Sequence, residues 1–300
     1  MNGPHDVPQP IPYQGSKRQI APTILKHFPP AVARLVEPFA GSAALSIAIA
    51  SRRRSNRFWI NDAHAPLIQL WREIINRPNA LSDAYTHLWN DQLGREREYF
   101  DQVRDRFNNG HDPADFLYLL ARCVKAAIRY NANGEFNNTP DNRRKGARPA
   151  EMARRISHAS DLLRRKTRLT SWDYTNVLDQ CAENDLVYMD PPYQGVCGNR
   201  DARYLPKVIH DAFCDELQKL NDRNIMYAVS YDGRTGSKTY GKPLPESLKL
   251  AQIEILAGRS TQATLLGRSD ITYESLYLSP ALTASLEQSE RTNESQLAFW

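Results

Sequence analysis

The stretch Asp185-Leu186-Val187-Tyr188-Met189-Asp190-Pro191-Pro192-Tyr193 decides how this chain is read. Leu186 to Met189 is a short apolar run with the length of a buried strand. Residues at the carboxyl end of a parallel strand reach the crevice where α/β sheets hold their ligands. This strand delivers a carboxylate, two prolines and an aromatic ring to that place. Proline fixes φ and has no N–H, so Asp190 and the Pro191 carbonyl make a wall of acceptors. Such a wall suits an amino group on a flat base, and Tyr193 suits the face of that base. Taken alone, the same letters also describe an Asp-Pro-Pro turn ending a strand with Tyr193 on the surface.

Outward from this point the chain alternates strand and helix. Arg34 to Phe39 reads as a strand entering the small-residue turn Ala40-Gly41-Ser42-Ala43-Ala44, with a helix to about Ala50. Arg57 to Ile60 reads as a second strand ending at Asn61-Asp62, followed by a helix from about Ala65 to Ile75. This is the start of a βαβ pattern. From about Pro78 to Lys166 strand signals disappear and amphipathic helices take over. Asp112-Pro113 opens one of them, Asn133-Gly134 marks a tight turn, and a basic helix runs from about Ala150. Strands return at Arg168–Asp173, Asp185–Asp190 and Ile225–Ser230, with a helix over His210–Asn221. Leu250–Leu256 and Ile271–Leu278 pair as a hairpin at the sheet edge. The expected architecture is α/β: a sheet domain in two parts, residues 8–76 and 167–280, split by a helical insertion over 77–166. Residues 281–300 are expected to be a polar C-terminal tail, frayed from Gln288. An insertion that long has a task of its own.

Composition narrows the class. The 300 residues are 41% apolar, enough for one large core. No run approaches the ~20 apolar residues of a membrane span, and the first residues carry no secretory pattern. Cys123, Cys181, Cys197 and Cys214 are scattered, as expected of reduced thiols in a cytoplasmic protein, and no metal-ligand spacing is present. The net charge is +5, but Arg129 to Arg168 holds eleven Lys and Arg against four acids. That local excess of +7 exceeds the charge of the whole chain. A charge run is often a solvated helix face. Here basic residues adjoin an Asn/Gly-rich loop, which favours contact with phosphates.

The turns carry further candidates. Pro10-Ile11-Pro12-Tyr13-Gln14-Gly15-Ser16-Lys17-Arg18 leads through a Gly-Ser turn into a helix. Glu37-Pro38-Phe39-Ala40-Gly41-Ser42 offers a glycine where backbone can approach a ligand closely. Asp62 stands where an acid binds ribose hydroxyls and equally where a helix is capped. Asp173-Tyr174 ends the third strand, where both side chains reach an adenine ring. The order is aromatic-x-Gly-Ser-Lys, Pro-Phe-x-Gly, Asn-Asp, basic insertion, Asp-Tyr, Asp-Pro-Pro-Tyr. It resembles the Dam-type (alpha-group) N6-adenine-specific DNA methyltransferase family over roughly Ile11 to Leu278. Two departures are Ala43, where the family often has a second glycine, and Gln14 and Ser16, where it has smaller residues beside Gly15.

The resemblance implies a Rossmann-like, S-adenosyl-L-methionine-dependent methyltransferase sheet with an inserted helical target-recognition domain. Tyr13, Lys17, Pro38, Phe39, Gly41, Asp62, Asp173, Tyr174 and Asp190 would bind the cofactor. Asp190, Pro191, Pro192 and Tyr193 would form the catalytic motif acting on a flipped adenine. Arg129, Asn131, Asn133, Asn137, Arg143, Arg144 and Lys145 would contact double-stranded DNA. A separate cognate restriction endonuclease would be a further partner; a membrane would not. Cytosine N4, adenine in RNA, or a non-catalytic DNA-binding subunit are the rival readings.

Overall fold

The computed structural model describes residues 7–192, 209–235, 238–259 and 271–297. The strands at the centre of its sheet are short and largely buried, the edge ones less so. β1 (Arg34–Glu37), β2 (Phe58–Asn61), β3 (Thr167–Thr170), β4 (Asp185–Met189) and β5 (Met226–Thr235) pair in parallel. Every residue of β2 and β4 is buried, as expected of parallel strands with helices on both faces. β6 (Lys238–Tyr240), β7 (Ala251–Arg259) and β8 (Ile271–Leu278) run antiparallel, and the sheet order is β3-β2-β1-β4-β5-β8-β7 with β6 beside β5. The β7–β8 hairpin lies at the edge, as the sequence predicts.

Strand order reverses between β1 and β4, the place where such sheets open a ligand crevice. The two strands begin with a charge pair. Arg34 Nε and Nη2 donate to Asp185 Oδ1 and Oδ2 at 2.8 and 2.5 Å, a two-pronged geometry that fixes their register. Their other ends, Glu37 and Asp190, therefore face the same opening.

Helices α1 (Ala21–Ile24), α2 (Ala44–Ser51) and α3 (Ala65–Asn76) lie with the first two strands. The insertion is α4 (Pro78–Asp91), α5 (Glu96–Gly110), α6 (Pro113–Arg122) and α7 (Pro149–Leu163). Asp112 caps α6 as its sequence predicts, accepting from Ala114 N at 2.8 Å with Pro113 following. The insertion does not hold a separate core. One apolar cluster runs from Leu35, Ile49 and Leu70 through Phe100, Leu117 and Ile156. Ser160 in α7 also donates to the Ile75 carbonyl at 2.7 Å. The insertion is thus fastened to α3.

On the other face α8 (Tyr174–Asp179) and α9 (His210–Asp222) cover Val36, Val187, Met189 and Val229. Cys123 and Cys181 are buried free thiols and Cys214 a half-buried one, while Cys197 lies outside the described residues. Two expectations need correcting. The third strand stops at Thr170, three residues short of Asp173, because Asn61 takes over the pairing. Its side chain bonds Trp172 N and O at 2.9 and 3.0 Å, in place of a strand neighbour. The stretch read as a polar tail is helix α10 (Pro280–Leu297). Ser279 starts it, accepting from Leu282 N at 3.2 Å, and buried Leu282 anchors it to the core.

Candidate active site

At the carboxyl ends of β1 and β4 lies a cavity of about 510 Å³, a size suited to a small-molecule ligand. Tyr13, Lys17, Pro38, Phe39, Gly41, Asp62, Asp173, Tyr174, Asp190, Pro191 and Pro192 all line it. The structure thus brings together every residue expected at the cofactor and catalytic positions except Tyr193, which lies outside the described residues.

The turn after β1 is shaped by left-handed backbone. Gly41 has φ +49°, and a Cβ placed there would meet Tyr13 Cε1 at 3.0 Å. The glycine thus serves both conformation and close approach. Ala43, where the family often has glycine, is also left-handed at φ +48° and fully buried. A non-glycine residue in that conformation costs roughly 1–2 kcal/mol, offset here by packing against the core. Trp71 Nε1 donates to the Gly41 carbonyl at 3.0 Å, which holds the turn from below.

Asp62 is not the helix cap the sequence also allowed, since His64 caps α3; instead it braces the turn after β1. Its Oδ2 accepts from Gly41 N and its Oδ1 from His64 N, each at 3.0 Å. A carboxylate has about four acceptor positions, so two remain at the cavity. Desolvation raises its pKa, and the two backbone bonds counter that. His64 caps α3 through Nδ1, which accepts from Leu67 N at 3.2 Å. Its proton therefore sits on Nε2 and is donated to the Tyr130 hydroxyl at 2.5 Å. Burial holds this imidazole neutral, with a pKa pushed down to about 4. This pair ties the basic insertion loop to the cavity wall.

Asp190 directly follows β4, with its carboxylate against Lys17 Nζ at 3.1 Å. Removal from water raises its pKa to about 6; Lys17 opposes that and Glu274 adds to it. Glu37, at the end of β1, is buried and accepts from the backbone N–H and hydroxyl of Ser46. Burial pushes it to about 7, so near neutrality it is divided between its two protonation states. Pro191 is buried and Pro192 half-buried beside them. Glu274 joins them, a residue not expected at this site from the sequence. Lys17 also contacts its Oε2 at 2.9 Å.

At the other end, Phe39 and Tyr174 meet with ring centroids 5.0 Å apart, backed by Phe213. Asp173 is exposed at this slot and caps α8, accepting from Thr175 N at 2.9 Å and Thr175 Oγ1 at 2.6 Å. Pro38 contributes its carbonyl to Asn61 Nδ2 at 2.9 Å and so shapes the turn.

The expected DNA-contacting residues divide. Asn133 and Asn137 are exposed and Arg129 half-buried around a tight turn with Gly134 at φ +77°. Asn131 builds that turn. Its Oδ1 accepts from Asn133 N and Glu135 N at 2.9 and 3.0 Å, and its Nδ2 donates to Glu135 at 2.7 Å. Its amide is therefore engaged within the loop. Arg143 and Arg144 project into solvent, 92% and 81% exposed, with Asp141 a distant partner at 3.7 Å. Lys145 is instead held by Glu96 at 2.7 Å.

Residues 13–254 match the family described as D12 class N6 adenine-specific DNA methyltransferase. The type II methyltransferase M1.LlaDCHI of Lactococcus lactis subsp. cremoris is 26% identical over 189 residues, 60% of this chain and 64% of that protein. The retron Ec67 DNA adenine methylase of Escherichia coli is 30% identical over 191 residues, 62% of this chain and 63% of that protein. The type II methyltransferase M.MjaIII of Methanocaldococcus jannaschii is 24% identical over 200 residues, 61% of this chain and 68% of that protein. The chain matches just under two thirds of the length of the first two. With a match covering most of its length and a cavity at the switch point of its sheet, this chain belongs to the D12 class of N6 adenine-specific DNA methyltransferases.

Proposed function

We propose that this chain transfers the methyl group of S-adenosyl-L-methionine to N6 of an adenine flipped out of double-stranded DNA. One observation carries the reading: Asp190-Pro191-Pro192 shares a single cavity with the left-handed Gly41 turn, Asp62 and the Phe39–Tyr174 slot. These residues fit the cofactor. Gly41 lets backbone approach it, the free acceptor positions of Asp62 suit two ribose hydroxyls, and Phe39, Asp173 and Tyr174 suit an adenine. Bound there, the cofactor supplies an electrophilic methyl group on a sulfonium.

The protein's own task is to prepare the nitrogen. An exocyclic amine is a poor nucleophile because its lone pair is conjugated into the ring. Asp190 and the Pro191 carbonyl accept its two hydrogens and favour a tetrahedral nitrogen, whose lone pair is then freed from conjugation. With a pKa of about 6, Asp190 is ionised at neutral pH and able to accept. Tyr193, by the family resemblance, stacks on the flipped base. Asn133, Asn137, Arg129, Arg143 and Arg144 approach the duplex, the arginines through phosphates. The type II names of two relatives support site-specific modification, with a separate endonuclease as the companion activity.

The test is incubation with labelled cofactor and either DNA or RNA, followed by mass spectrometry of the nucleosides. N6-methyladenine in DNA is expected. N4-methylcytosine, or label in RNA alone, contradicts the proposal. Asp190→Ala is expected to abolish transfer while leaving cofactor binding by equilibrium dialysis within several-fold.

A further inference from the structure

The face of the sheet that carries Asp190 also carries a second carboxylate, brought from the far side of β5. Side chains alternate along a strand. On β4, Leu186, Tyr188 and Asp190 share one face; on β8, Glu274, Leu276 and Leu278 do the same. Leu186, Tyr188, Leu276 and Leu278 all belong to one apolar cluster, so both carboxylates emerge on the same side. Strand β5 lies between β4 and β8, which separates the strands that carry the two carboxylates by roughly 10 Å. Lys17 bridges that gap, 3.1 Å from Asp190 and 2.9 Å from Glu274. Between them β5 places Ser230, which bonds the Tyr188 hydroxyl at 2.7 Å.

Glu274 is brought there by an irregularity. Tyr231 pairs with Ser275, yet Gly233 pairs with Glu274, so Asp232 is an extra, left-handed residue at φ +50°. The bulge requires glycine next, since a Cβ on Gly233 would meet the Tyr273 carbonyl at 2.5 Å. Bulges of this kind re-aim side chains near functional sites.

Charge accounting gives the arrangement a purpose. Asp190 and Lys17 alone form a neutral pair. Adding Glu274, which contacts Lys17 without lining the cavity, leaves these three described groups together with one negative charge in excess at a partly desolvated place. In the proposed reaction the methyl carbon–sulfur bond breaks and a carbon–nitrogen bond forms. The positive charge of the sulfonium passes to the amine nitrogen, and a proton then leaves that nitrogen for Asp190 or solvent.

Resting on the methyl transfer proposed above, we propose that Glu274 is a positioning residue for that reaction, holding Lys17 at Asp190 and supplying the excess negative charge that stabilises the positive charge developing on the amine nitrogen. Among the described residues, the other charged or titratable groups facing Asp190 are Glu37 from β1 and Tyr188 from β4, and the glutamine variant leaves both unaltered. Glu274 raises the pKa of Asp190 through its charge. Removing that charge should therefore extend activity to lower pH even as it slows the reaction.

The experiment compares wild type, Glu274→Gln and Glu274→Asp in methyl transfer to DNA from pH 5 to 9. Glu274→Gln is expected to lower kcat about tenfold, to leave the cofactor and DNA KM within twofold, and to move the acid limb of kcat to lower pH. Glu274→Asp, with the charge kept, should recover most of kcat and the original limb. Should the glutamine variant not fold, Glu274→Leu reads the same limb. A reduced kcat with an unmoved limb would show a merely structural role and overturn the proposal, as would unchanged kinetics. Failure of the wild type to methylate DNA would instead overturn the function itself.

Discussion

Asp190→Asn should make the protein more stable while destroying its activity, and the gain should depend on pH. The carboxylate sits in the cavity wall with 24% of its side chain exposed. Its pKa rises from 3.8 to about 6. A folded-state pKa above the unfolded value means that the folded protein holds the proton more tightly. The stability this group contributes is therefore full below pH 3.8 and is lost as pH rises through about 6. At about 1.4 kcal/mol for each tenfold change in proton affinity, a rise of that size costs about 3 kcal/mol at pH 8. Asparagine keeps the shape and omits the charge. Lys17 is not orphaned, because Glu274 remains at 2.9 Å. Urea unfolding should therefore show Asp190→Asn more stable than wild type by about 3 kcal/mol at pH 8, by about half that at pH 5, and by almost nothing near pH 3. Glu37, pushed up to about 7 chiefly by burial and in small part by the charge of Asp190, is eased as well in Asp190→Asn, which adds slightly to the gain at high pH. A gain that stays constant across this range, or a loss of stability at pH 8, would refute the assignment of Asp190 as a charge strained by its site.

Other consequences are as direct. Gly41→Ala forces alanine to φ +49° and a Cβ to 3.0 Å from Tyr13; cofactor affinity by calorimetry should fall about tenfold, near 1.4 kcal/mol, and unchanged affinity would leave Gly41 a simple turn residue. Arg143→Ala with Arg144→Ala should lower the slope of log K for DNA against log salt by about two. Adding Lys145→Ala should change it little further, since Glu96 already holds that lysine at 2.7 Å. Tyr130→Phe removes the bond to His64 at 2.5 Å, at about 1 kcal/mol, and amide exchange in residues 127–140 should quicken.

Much of this was legible because strong local patterns agreed with the global fold. The apolar runs around Val36, Ile60 and Val187 could only be covered strands, and the insertion's helices announced themselves by periodicity and by Asp112-Pro113. The turns that end the strands already marked Gly41, Asp62 and Asp190, which the fold gathers around one cavity. What escaped depended on distant partners. Asn61 ends β3 early by substituting its side chain for a strand, which no run of letters in 168–173 reveals. Lys145 looked like its neighbours Arg143 and Arg144 until α5 placed Glu96 beside it. Ser279 and Leu282 were the signals of a helix where polar composition implied a tail. Glu274 left one trace, a charge on the face it shares with Leu276 and Leu278. Only the bulge at Asp232-Gly233 and the crossing over β5 could reveal that it points at Lys17.

If Asp190, within this cavity, readies an adenine amino group for methylation, the mark should be written in cellular DNA. Modification-sensitive sequencing of DNA from cells expressing the wild-type chain or Asp190→Ala reads that mark base by base. N6-methyladenine is expected within one defined sequence in the first and nowhere in the second. Equal methylation in both, or none in either with the protein folded and present, would contradict the role given to Asp190.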